Sequence, residues 1–426
     1  MLSKLFRHSH RFVANGSGNV AILFALCVFP LAFLVGAAID YSRATLLRAN
    51  VTRAADAATL FAVKQVRAQI AAGVDDSKAI AAGRTAGLAI YADMLPAGTS
   101  ANGATLDITR SGIVVSAVLT QNTESPNVFM GILGSPSIPV SANSTAKTSM
   151  PPYVDIALLV DASGSMAIGA DDAAVKTLVA RTGCAFACHD GNPVQGTQMD
   201  AYQWAVSQGI TLRTQAVNAG ITTFLDYLQS KDPSNTLHRV ALYSFADTLT
   251  QLSTYSSNLA AAKQRLPQQT NAASEYTAAT HFAEIMPQFT ATVGSSGDGA
   301  SQLSPKKLVI IATDGVQDPN RTWTWNLPLR AQVAPFDPAA CSALKSAGVS
   351  VGVIHTPYVP MTWDWGYNAT LGQPSQIGGS GTREDDIAGQ LQRCASPGMY
   401  ATATATTVAS ALQSLFDVFV QTRIVK

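Results

Sequence analysis

The chain has 426 residues, with 28 Lys and Arg against 27 Asp and Glu, a formal net charge of +1. Charged residues make up 13% of it and hydrophobic residues 47%. Composition therefore excludes a disordered chain and an acidic solvating tail, and the charge balance excludes the basic footprint of a nucleic-acid partner. The length suits roughly two to four structural units.

Lys4, Arg7 and Arg11 precede a run without one charge, VAILFALCVFPLAFLVGAAI, from Val20 to Ile39. As a helix it spans about 30 Å, one bilayer core. Pro30 in its middle is tolerated in a membrane span. The basic flank puts the N-terminus in the cytoplasm and everything after Asp40 outside, although Arg43, Arg48 and Arg53 beyond the run blur that rule. The rival reading is a signal peptide cleaved near Gly36-Ala37-Ala38. The run is longer than the usual 7–15 residue signal core, so an uncleaved anchor is expected.

From Asp40 to Ala72 there is no Pro or Gly, and Leu47, Val51, Ala54, Ala58 and Phe61 recur at helical steps. Two readings stay open: a stalk helix lying on its own domain, or a packing helix in an assembly. Leu106–Thr109 and Ile113–Leu119 alternate as strands through Ser111-Gly112. Ser125-Pro126 reads as a helix N-cap and first residue, opening a short helix to Leu133. Pro139–Lys147 alternates again, and Met150-Pro151-Pro152 reads as a linker. The expected organisation is a basic cytoplasmic tail (1–19), a membrane helix (20–39), a long helix with a small α+β unit (40–150) and a larger domain (151–426).

In that larger domain, Asp155–Val160 (DIALLV) is an apolar run that reads as a buried strand of a parallel sheet. It ends in Asp161-Ala162-Ser163-Gly164-Ser165, and ligands bind at the carboxyl ends of such strands. Alternating carboxylate and hydroxyl side chains suit a hard divalent cation. Further strands are predicted at Arg239–Phe245, Lys307–Ala312 and Val349–Ile354. The third of the four core strands is followed by Thr313-Asp314-Gly315, which puts Asp314 at the same sheet edge as Asp161. Helices are predicted at Ile210–Gln229, His281–Phe289 and Pro338–Ser346. This alternation means an α/β fold with a doubly wound, mostly parallel sheet.

Two stretches resemble known families. GNVAILFALCVFPLAFLVGAAIDYSRATLLRANVTRAADAATLFAVK, with Gly18-Asn19, Asp40-Tyr41 and Ala55-Asp56-Ala57-Ala58 as its marks, resembles the N-terminal segment of TadG-like proteins of the Tad (Flp) pilus system. DIALLVDASGSM with the later VIIATDG resembles a von Willebrand factor A domain, over about Tyr153 to Val420. That second resemblance implies a metal-ion-dependent adhesion site. Ser163 and Ser165 would bind the ion directly, Asp161 and Asp314 directly or through water, and a loop Thr would complete the set. Thr280 is the candidate, with Thr277 as the alternative; neither has the family's preceding Gly. The implied ion is Mg²⁺, with Mn²⁺ or Ca²⁺ as alternatives. The implied role is a single-pass protein of a bacterial inner membrane, its bulk in the periplasm, which grips an acidic group of a protein partner in pilus assembly or adhesion.

Four cysteines follow the membrane run and allow three pairings. TGCAFACH resembles an insert of some of these pilus proteins, so Cys184 is paired with Cys188, and Cys341 with Cys394. A zinc or haem-attachment reading of Cys184, Cys188 and His189 is disfavoured, because the haem motif has two intervening residues and no second Cys–His cluster follows. Neither a Gly-x-Ser-x-Gly elbow nor a phosphate loop is present, and no enzyme activity is expected. The alternative is an exported metal-dependent enzyme using the same ion as Lewis acid. Trp323, Trp325, Trp363 and Trp365 read as covers of long loops rather than partner contacts.

Overall fold

The computed structural model describes residues 18–183, 193–267, 279–318 and 330–421. The chain divides into two compact units, Met1–Met150 and Pro151–Lys426.

The first unit contains helix α1 (Gly18–Ala71), helix α2 (Asp76–Met94) and an antiparallel sheet of β1 (Thr105–Ser111), β2 (Val114–Pro126) and β3 (Ser137–Ser149), in that order. α1 runs uninterrupted through Pro30 for 54 residues, about 80 Å. Its first half and second half meet different surroundings. Leu23, Phe24 and Phe29 are exposed, and the helix from Val20 onward is long and apolar enough to cross a membrane. Val51, Ala54, Ala58, Ala62 and Val66 are buried in a core shared with α2 and the sheet. The long helix therefore lies on its own unit, the first of the two sequence readings. Phe61 is turned away from that core and is exposed. Small residues allow the close fit: a Cβ on Gly87 of α2 would lie 2.5 Å from Leu106 and 3.0 Å from Ala62.

Ser125 does not cap a helix. It pairs with Ile138 in the β2–β3 ladder, which continues to Pro126 opposite Ser137. The expected helix shrinks to a 3₁₀ turn, Met130–Leu133, entered from Phe129. Both strands are 13 residues long, and that cooperative ladder outcompetes a local side-chain cap.

The second unit is a six-stranded sheet flanked by helices. Its main elements are β4 (Val154–Asp161), α3 (Asp172–Thr182), α4 (Arg213–Lys231), β5 (His238–Phe245), β6 (Leu249–Ser256), α5 (Phe282–Val293), β7 (Lys306–Thr313), β8 (Ser350–His355), α6 (Arg383–Cys394), β9 (Tyr400–Thr402) and α7 (Val408–Gln421). The strand order is β9-β8-β7-β4-β5-β6, with every pair parallel except β5–β6. β4 feeds both faces. Ala157 and Leu159 pack with Phe282, Phe289 and Leu391, while Ile156, Leu158 and Val160 pack with Phe224, Leu412 and Phe416. Burial on both faces explains why β4 reads as a continuous apolar run.

Four core strands were expected, and two edge strands join them. β6 (LTQLSTYS) is half-buried and hydroxyl-rich, and β9 has three residues, too few to show a period. α4 begins at Arg213 rather than Ile210, because Thr211 and Leu212 are engaged with Ala170 and Gly169. The segment from Pro338 is a 3₁₀ turn to Cys341 that continues as a helix over Ser342–Ser346. Cys341 is disulfide-bonded to Cys394, the last residue of α6. Cys184 and Cys188 lie outside the described residues, as do His189, Trp323, Trp325 and the tail before Gly18.

Candidate metal centre

β4 sits at the sheet's centre, between β5 and β7. The chain leaves β4 toward β5 on one side and later builds β7, β8 and β9 on the other. That reversal is a topological switch point, where open α/β sheets leave a crevice at their carboxyl ends. Asp161 is the last residue of β4 and Asp314 the first after β7, so parallel pairing alone puts both at this crevice.

Asp161 organises the local turn. Its Oδ1 accepts the Ser163 N–H at 2.9 Å and the Ser163 hydroxyl at 2.6 Å, and its Oδ2 accepts the Thr313 hydroxyl at 2.6 Å. The Ser163 and Ser165 hydroxyl oxygens are 3.0 Å apart. Asp161, Ser163 and Asp314 are fully buried, and Ser165 is half-buried. Asp314 Oδ1 accepts the Val316 N–H at 3.1 Å, and its Oδ2 accepts the Tyr358 hydroxyl at 2.8 Å. Gly315 is needed after it: its φ is +83°, and a Cβ there would lie 2.5 Å from Ile387.

A buried arginine completes the centre. Arg213, 3% exposed, places Nη1 3.5 Å from Asp314 Oδ2. Its guanidinium lies 4.2 Å over the Tyr358 ring and donates to the Pro357 carbonyl at 3.1 Å. The guanidinium thus pairs with Asp314, while Asp161 meets two hydroxyls and one N–H. Burial, and then the Asp314 carboxylate, push the Asp161 carboxyl up to about 7. Burial, followed by Asp314, also raises the Tyr358 phenol well above its ordinary value. Burial holds the His355 imidazole down, to about 4. Tyr358 divides two clefts. One of about 340 Å³ is lined by Asp171, Arg213 and Thr356, and one of about 520 Å³ by His355, Tyr367 and Glu384.

The structure brings Asp161, Ser163 and Ser165 into one hydrogen-bonded cluster and sets Asp314 close enough to repel Asp161. Thr280 is buried at the same sheet edge: its N–H donates to Asp318 at 2.7 Å, and the next residue, His281, donates to Ala246 just past β5. Helix α5 then begins at Phe282, not at Thr280. Thr277 lies outside the described residues. Trp363 and Trp365 are exposed, and Arg330 sits 5.3 Å over the Trp365 ring.

These residues suit a hard divalent cation. Among the described residues no three His, Cys, Asp or Glu side chains converge as a metal cluster. The donors here are hydroxyl and carboxylate oxygens, which Mg²⁺ accepts together with retained water. A cation between them would offset the repulsion of Asp161 by Asp314. Arg213, Thr313 and Tyr358 escaped the sequence reading. Arg213 alone left a trace there, because a cation in a helix's first turn opposes the helix dipole.

Residues 18–73 match the Tad family model, described as Flp pilus-assembly TadE/G-like. No curated protein matched the chain. Among solved structures it is similar to the pilus adhesin SpaC from Lactobacillus rhamnosus GG, at 15% identity and a TM-score of 0.37, covering 75% of this chain and 34% of that one. It is also similar to the vWF domain of the type V pili tip protein Mfa5 from Porphyromonas gingivalis (14% identity, TM-score 0.36, 64% of this chain and 96% of that one). A third is BatB from Bacteroides thetaiotaomicron (16% identity, TM-score 0.30, 62% and 98%). The chain spans about a third of the SpaC chain. The strand order and register, rather than these scores, carry the doubly wound, mostly parallel α/β fold.

Proposed function

We propose that this chain is a membrane-anchored component of a Tad-type pilus apparatus, acting in assembly or adhesion and not as an enzyme. The match over residues 18–73 supports the pilus context. The basic flank before the apolar run favours an inner-membrane anchor with the bulk in the periplasm. The Cys341–Cys394 disulfide suits such an oxidising compartment.

The cluster of Asp161, Ser163 and Ser165 supports the second half of the reading. These three would hold a divalent cation, with Thr280 at the rim and Asp314 acting at one remove, since Tyr358 and Arg213 already engage it. The bound ion would offer an open coordination position to an outside oxygen, most simply a carboxylate of a protein partner. The chain's residues do the rest. Thr313 and Ser163 orient Asp161 by their hydroxyl groups, and Arg213 and Tyr358 hold Asp314 in place.

The test is Asp161→Ala in the full chain, in cells without the native copy. Loss of partner capture and of pilus formation, with the protein still in the membrane, is expected. Unchanged capture in chelator would overturn the metal-dependent grip. Normal pilus formation without this chain would overturn the pilus assignment.

A further inference from the structure

The β2–β3 connection of the first unit carries four large apolar side chains that the unit leaves uncovered. Val128 is 54% exposed, Phe129 38%, Ile132 75% and Leu133 65%. No charged residue occurs between Glu124 and Lys147. Beyond the Val20–Ile39 run this unit also exposes Tyr41, Leu46, Leu60, Phe61 and Met94, but those are spread along its two helices, whereas the tip gathers its four within residues 128–133.

Its position is fixed against α1. Phe129 packs on Gly36 so closely that a Cβ there would lie 2.6 Å from the Phe129 Cβ. Gly36 belongs to the last turn of the uncharged Val20–Ile39 run. Asp40, one residue past that run and 1% exposed, holds the same loop by its backbone. Its carboxylate accepts the N–H groups of Val128, Phe129 and Met130 at 3.0, 2.9 and 2.8 Å. Gly36 to Asp40 is a rise of about 6 Å. The tip therefore lies beside the membrane run, at the depth of about 5–10 Å to which interfacial elements sink.

The loop backbone meets the condition for that medium, where unsatisfied polar groups are costly. Besides the three donors held by Asp40, the Asn127 N–H donates to Pro136, Ile132 to Phe129, Gly134 to Gly131 and Ser135 to Met130.

We propose that the β2–β3 tip is a second membrane contact, with Val128, Phe129, Ile132 and Leu133 inserted into the outer leaflet beside α1. This rests on the membrane-anchored reading of α1. The contact would hold the first unit upright on the bilayer, because a single helix alone leaves its orientation free.

The test uses the full chain in phosphatidylethanolamine–phosphatidylglycerol vesicles, with a photoreactive benzoylphenylalanine placed in turn at Ile132, at Leu26 in the span, and at Ser100, an exposed position in the α2–β1 connection. Irradiation should give phospholipid adducts at Ile132 and Leu26 and none at Ser100. Lipid at Leu26 without lipid at Ile132 would overturn the tip insertion while leaving the anchor intact. Protein–protein adducts at Ile132 would likewise overturn it, in favour of a second chain on the tip. No lipid at Leu26 would overturn the anchor, and the tip with it.

Discussion

Asp40 in the first unit and Asp161 in the second are both buried aspartates, 1% and 0% exposed, yet their surroundings push them in opposite directions. The Met130 N–H, with those of Val128 and Phe129, holds the Asp40 carboxyl below its ordinary value. Burial and the neighbouring Asp314 push Asp161 up to about 7. Asp40 has three backbone donors and no rival charge, so its charge is spent on shape. Asp161 has two hydroxyls, one N–H and a second carboxylate beyond. What separates a structural acid from a candidate site acid here is whether the fold has already satisfied the charge, not how deeply it is buried.

The largest expected effect breaks the site and spares the fold. Asp161→Ala should abolish Mg²⁺ and Mn²⁺ heats in calorimetry on the purified chain, while in chelator the chain stays folded with a modestly lowered melting temperature, because the loss of an acceptor for Ser163 and Thr313 is partly offset by the loss of a repelling charge. A second effect tests what holds the far side of the sheet. Replacing Cys341 and Cys394 by Ser releases a 53-residue separation, worth about 4 kcal/mol by loop entropy. A marked fall in denaturant midpoint is expected with metal affinity unchanged.

The corresponding break in the first unit is Asp40→Ala. It strands three N–H groups, and protease cleavage between Asn127 and Ser135, in detergent, should speed up about tenfold. Metal heats should not change. If they do, the two aspartates are not the independent cases described above.

A smaller effect sharpens the contrast through pH. The Asp161 carboxyl must give up its proton to bind a cation, so metal affinity should fall as pH drops below about 7 and level off above it. The stability sign follows from the same shift. The folded chain holds a proton that the unfolded chain releases near its ordinary 3.8. In chelator, stability relative to Asp161→Asn should therefore be fully present near pH 4 and be lost as pH rises through about 7. Paired pH titrations of melting temperature would check this. The smallest changes should come from Ser163→Ala and Ser165→Ala, each weakening the ion roughly fivefold, a loss of about 1 kcal/mol.

Much of this was legible beforehand for local reasons. The charge-free run of α1 and the apolar run of β4 follow from composition along a few consecutive residues. Asp161, Ser163 and Ser165 needed only their alternate spacing and a strand before them. β6 and β9 were missed because a hydroxyl-rich edge strand and a three-residue strand leave no apolar period to read. Ser125 was misread because capping chemistry is local, whereas the ladder that claimed it pairs residues from two strands.

The sequence by itself determined which segments bury and which apolar run is long enough to cross a membrane, and it placed three candidate oxygen ligands within five residues. Only the tertiary structure decided that Thr313, 152 residues along the chain, would fasten Asp161. It likewise brought Arg213 and Tyr358 onto Asp314, and the loop at Val128 onto Asp40, 88 residues away. Such partners share no local pattern. They meet because parallel register and close helix packing bring distant backbone together, and burial then makes each meeting of charges consequential.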